Sequence, residues 1–147
     1  MRMSIAIFLA AGILLANQVP HASAGNQPCA NQESQAAEAV AATASTWEQL
    51  HQQFKLYGHC DDGAVAEGFS EVVSLLLVER WGYVHGLDVL SAADPDFRKF
   101  VIHHIDETVP SDRLIQIRKN SATQCPDRLK TLCHDIEVAA MDALNEQ

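Results

Sequence analysis

Between His59 and Glu71 the chain reads His-Cys-Asp-Asp-Gly-Ala-Val-Ala-Glu-Gly-Phe-Ser-Glu, its densest run of groups able to move protons or hold ions. Glu67 and Glu71 are four residues apart, so a helix carries both on one face. Neighbouring carboxylates split their proton affinities, and one can then serve as acid while the other serves as base. A plainer reading fits the same residues. Asp61 and Asp62 stand where the positive end of a helix dipole favours negative charge, with Glu67 and Glu71 on a solvated stripe. His103-His104-Ile105-Asp106-Glu107 forms a second group. On a continuing helix His103 and Glu107 are neighbours, and a carboxylate can orient a histidine for proton transfer or metal binding. His104 falls in an apolar stripe and reads equally well as a core histidine.

Other chemistries lack their residues. Cys133-His134 is adjacent in sequence, but neighbours on a helix point about 100° apart, so spacing does not make a nucleophile and base of them. The chain holds no Cys-x-x-Cys, no paired histidines at metal spacing, no glycine-rich phosphate loop and no Gly-x-Ser-x-Gly elbow. No catalytic set, metal or cofactor is expected from these patterns. The formal net charge is −9, from 10 basic and 19 acidic side chains. Such a surface repels nucleic acid and anionic lipid, and it speeds encounter with a basic partner. Candidate contacts are the carboxylates at helix starts and ends: Asp61, Asp62, Asp106, Glu107 and Asp112, with Glu67 and Glu71. Trp81 and Tyr83 flank Gly82 at a helix junction and could anchor such a contact, although core packing accounts for them too.

The elements that must position these groups read as helices. Residues 25–44 are an arm rich in Ala and Gln, either loose or weakly helical. Ser45 and Glu48 have capping-box spacing, and Trp47, Leu50, Phe54 and Tyr57 recur at helical intervals up to Gly58. Asp61-Asp62 opens a helix that is almost wholly apolar from Val72 to Val78 and so belongs at the centre. Gly63 and Gly68 could admit a close neighbour. Val84, Leu87 and Leu90 mark a short helix, and Asp94-Pro95 starts another. Pro110 ends that one, Ser111 caps the next, and Pro126-Asp127 begins the last. No segment alternates with period two. The expectation is an all-α bundle of about five or six helices, with residues 45–147 as one domain.

The first 24 residues set the compartment. Arg2 precedes an apolar run from Ser4 to Ala16, and Ala22-Ser23-Ala24 offers small residues just before Gly25. These are the parts of a cleaved signal peptide, and the run is too short to span a membrane. A periplasmic or secreted protein is expected, with no membrane segment after cleavage. Cys29, Cys60, Cys125 and Cys133 then suggest two disulfides in an oxidising compartment. Three pairings are open. Cys125 and Cys133 are nearest in sequence, but a helix beginning at Pro126 would hold them roughly 12 Å apart, beyond bridging distance.

In size, compartment and composition the mature chain resembles the periplasmic immunity proteins that protect bacteria from secreted cell-wall-degrading toxins. No motif carries the resemblance, and it assigns no residue. It implies a small inhibitor that blocks a partner. The sequence expectation is therefore a binding or inhibitory protein with an acidic surface. A Glu/His enzyme using Glu67, Glu71 and His104, and a periplasmic chaperone, are the alternatives.

Overall fold

The computed structural model describes residues 28–147, so the expected signal peptide lies outside the described residues. Those residues form seven α-helices and no strand. They run α1 (Asn31–Ala41), α2 (Trp47–Tyr57), α3 (Gly63–Glu79), α4 (Val84–Ala93), α5 (Pro95–His103), α6 (Ser111–Thr123) and α7 (Lys130–Glu146). Short 3₁₀ turns lie at Gly58–Cys60, Trp81–Tyr83 and Asp127–Leu129. The count exceeds the expected five or six because residues 31–41 take the helical form left open for them. Alanine supplies enough for that helix to dock: Ala37 and Ala41 are fully buried against α3. Gly68 permits the approach, since a Cβ there would come within 2.9 Å of the Ala41 Cβ and 3.3 Å of the Ala42 nitrogen. Gly63 works differently: its φ of +52° belongs to the turn that enters α3.

Local chemistry sets the helix starts. Asp94 accepts from the Phe97 N–H, and Pro95 occupies the first position of α5, as the sequence indicates. Asp62 plays the same part for α3 through the Gly63 N–H. For α2 the cap is Thr46, whose hydroxyl accepts from the Gln49 N–H. Ser45 instead bonds the Gln49 carboxamide oxygen through its N–H and O–H, so the one-residue shift corrects the Ser45–Glu48 expectation. Ser111 is likewise the first residue of α6 rather than its cap. The last helix begins at Lys130, after the 3₁₀ turn, rather than at Pro126.

That delay decides the disulfides. With the chain turning at Asp127–Leu129, the Cα atoms of Cys125 and Cys133 are 6.0 Å apart, and the two bond to each other. The bridge closes the α6–α7 hairpin. Cys29 bonds Cys60, tying the entry of α1 to the turn before α3. α3 is the central helix: Phe69, Val72, Val73, Leu76 and Leu77 are buried between α1 and α6. On its α5 side the rings of Phe54, Phe69, Phe97 and Phe100 form one aromatic cluster, with Phe69 edge-on to Phe100 at 5.0 Å. Such pairs add about 0.5–1.5 kcal/mol each beyond area burial. No helix among the described residues is long and apolar enough to cross a membrane.

Candidate functional site

The aromatic cluster ends on His104, whose ring stands edge-on to Phe100 at 4.3 Å and is 1% exposed. α5 stops at His103, so His104 opens the loop into α6. This corrects the expectation that His103 and Glu107 share a helix, because the chain turns away between them. The turn carries the His104 ring inward, between two carboxylates. Its Nε2 lies 3.1 Å from Asp61 Oδ2, and its Nδ1 lies 2.9 Å from Ser70 Oγ. Ser70 in turn donates to Asp106 Oδ2 at 2.7 Å.

A serine, a histidine and an aspartate in one chain of hydrogen bonds are the residue types of a nucleophilic triad. Counting protons gives a different result. The Ser70 proton is committed to Asp106, so Ser70 can only accept from Nδ1. Asp61 is acceptor-only, so Nε2 must also donate. Both ring nitrogens then carry hydrogen, and the imidazolium sits between two carboxylates. It cannot take the Ser70 proton, and Ser70 is itself buried. The cluster is a charged tie joining the start of α3 to the α5–α6 loop. Ser70 was missed in the sequence; its polarity within the apolar face of Phe69, Val72 and Val73 is the mark of a buried group with a partner.

Burial pushes the Asp106 carboxyl upward. The Thr108 hydroxyl, the Ser70 hydroxyl, the Thr108 N–H and the His104 charge outweigh that effect and hold it below the usual range. A carboxyl with a lowered folded value stabilises the fold above its unfolded value near 4, and that contribution fades as pH falls through the folded value. Asp106→Asn is therefore expected to be less stable than the wild type at pH 7, with the gap narrowing at acid pH. Urea unfolding across that range measures it; a gap independent of pH would remove Asp106 from the charged tie.

Directly beside this tie, Glu67, Ser70, Glu71, Ser74, Thr108 and Val109 line a cleft of about 260 Å³. Positions 67, 70, 71 and 74 share one face of α3. Glu71 is held from α6 by Arg113, whose two terminal nitrogens reach its carboxylate at 2.6 and 3.0 Å. Arg113 also donates to Ser74 Oγ at 3.1 Å. The Glu71 hydrogen bonds raise the Arg113 guanidinium above its ordinary value despite partial burial, and the charges of Asp112 and Glu79 add to them. Arg113 was not identified from sequence, since only the α3–α6 contact reveals its partner. Glu67 makes no ion pair among the described residues.

The candidates from the sequence therefore separate by role. Asp61, Glu71 and Asp106 are engaged internally, and Asp62 caps α3. Glu67, Glu107 and Asp112 are exposed. Trp81 is buried and donates its indole N–H to the Gln124 carbonyl at 3.0 Å, so of the aromatic pair only Tyr83, 68% exposed, presents its ring to solvent. Cys29, His59 and Cys60 cluster at metal-ligand distances, but both sulfurs are committed to a disulfide. No family, curated protein or solved structure matches this chain.

Proposed function

We propose that this protein is a small exported binding protein of the inhibitory type, presenting the acidic cleft beside Ser70 to a basic partner. One observation carries the reading. Exposed Glu67 and the fixed Glu71 carboxylate converge on a polar cleft whose floor, Ser70 over His104, has no free nucleophile or base. Glu67 is the free carboxylate of this cleft, and Glu71, fixed by Arg113, shapes the wall beside it, so a basic side chain meets a site that needs little reorganisation on binding. Glu107, adjacent to Thr108 in the cleft wall, extends the negative field and raises the encounter rate. The same floor weighs against an enzyme built on Glu67, Glu71 and His104, because Arg113 occupies Glu71 and burial closes His104. The partner class that suits size, charge and compartment is a basic, cell-wall-degrading enzyme acting outside the cytosol, in the manner of an immunity protein.

Capture from periplasmic extract, followed by a wall-hydrolysis assay with the captured enzyme, tests this. A single stoichiometric hydrolase is expected, inhibited by the protein, with an association rate that falls with salt and falls again in Glu67→Lys/Glu107→Lys. Inhibition indifferent to both salt and charge reversal would refute the acidic cleft as the contact. Failure to recover any hydrolase would refute the inhibitory role.

A further inference from the structure

A cavity larger than the acidic cleft lies on the far side of α3. Leu76 and Arg80 are roughly half a turn around from the Glu67–Glu71 face. With the start of α2 and the Trp81–Tyr83 turn they enclose about 540 Å³, within the range of small-molecule sites. The wall contains an unsatisfied donor: Trp47 is 2% exposed, and its indole N–H has no hydrogen-bond partner. A buried N–H without an acceptor is costly, and its position in a cavity wall marks where an acceptor belongs. Gly86 leaves the space next to it. A Cβ there would lie 3.5 Å from Glu48 Oε1 and 3.8 Å from Trp47 Cδ1, the atom bonded to that nitrogen. One open point therefore has a carboxylate and an indole edge on its border. Neither Glu48 nor Arg80 makes an ion pair among the described residues, so two opposite charges stand available and apart. The Ser45 hydroxyl donates to the Gln49 carboxamide, and the Thr46 hydroxyl accepts from the Gln49 N–H.

We propose that this cavity binds a short apolar peptide with free termini. At the amino end of a peptide the ammonium and the first carbonyl oxygen lie side by side. That is the donor–acceptor order which Glu48 and the Trp47 N–H would meet next to Gly86. The carboxylate end pairs with the Arg80 guanidinium, and the side chains lie on Leu76 and under the exposed Tyr83 ring. The volume suits two or three residues. This site is independent of the acidic cleft and stands or falls without it.

Isothermal titration of the full mature protein with the dipeptide Leu-Leu is the test. Saturable 1:1 binding is expected, with a Kd of the order of 100 μM or tighter. Arg80→Ala and Leu-Leu amide should each weaken it about tenfold, as should Glu48→Gln and N-acetyl-Leu-Leu at the other end. Gly86→Leu, which fills the cavity from an ordinary-contact position, should abolish binding while the far-ultraviolet circular dichroism stays unchanged. Absence of saturable binding at millimolar dipeptide overturns the proposal. So does binding indifferent to the blocked termini, which leave the protein untouched, and to Arg80→Ala, a change at an exposed side chain that does not threaten the fold.

Discussion

Replacing His104 with leucine is expected to cost about 3 kcal/mol of folding stability, the largest loss for any single side chain in the charged tie. Removing one member of a buried charge group leaves the others uncompensated, at about 3–5 kcal/mol when burial is complete. Here the Asp61 side chain is 18% exposed, so solvent screens part of the cost and the lower end applies. Leucine keeps the packing against Phe69 and Phe100, so the measured loss reports charge and hydrogen bonding rather than a cavity. Ser70→Ala should cost less, about 1–3 kcal/mol, because it breaks two hydrogen bonds and leaves the His104–Asp61 pair standing. Urea unfolding of both variants at pH 7 gives the comparison. A His104→Leu loss below that of Ser70→Ala would mean that the ring carries no charge and that the proton count above is wrong.

Opening the Cys29–Cys60 bridge should destabilise the protein more than opening Cys125–Cys133. The loop-entropy relation depends on the chain enclosed. Separations of 31 and 8 residues correspond to about 3.7 and about 2.5 kcal/mol. The two losses should also differ in where they fall. α1 buries only the small side chains Ala37 and Ala41, and its Glu33 pairs with His59 at 3.6 Å, so its contact with α3 is thin and the bridge reinforces it. In Cys29→Ser/Cys60→Ala, the α1 amides should exchange with solvent long before those of α3. The equivalent Cys125/Cys133 variant keeps the extensive α6–α7 contact and should preserve local protection. Hydrogen exchange resolved by residue distinguishes the two. Full protection of α1 without its bridge would show that alanine packing alone suffices.

The helices were legible because their signals are local. Asp94-Pro95, the Pro110 break and the apolar periodicity of Val65, Phe69, Val72, Val73 and Leu76 each act within a turn or two of chain. Capping is local too, but several residues compete for it. Thr46 with Gln49 has the same spacing as Ser45 with Glu48, and the shift by one residue follows from which N–H the hydroxyl can reach. The disulfide pairing hung on where α7 begins, a boundary that three residues of 3₁₀ turn moved.

The charges of the candidate site were visible as composition, and their partners were not. Asp61, Glu71 and Asp106 read as free carboxylates in the chain, yet each is held by a residue 35 or more positions away, through contacts of α3 with the α5–α6 loop and α6. Ser70 and Arg113 acquire meaning only through those same contacts. Helical periodicity, caps and turn chemistry are short-range, so residue order alone determined that this chain is all-α, acidic and centred on one apolar helix. Which carboxylates remain free to meet a partner depends on distances between residues far apart in the chain, and only packing the helices around α3 decided that.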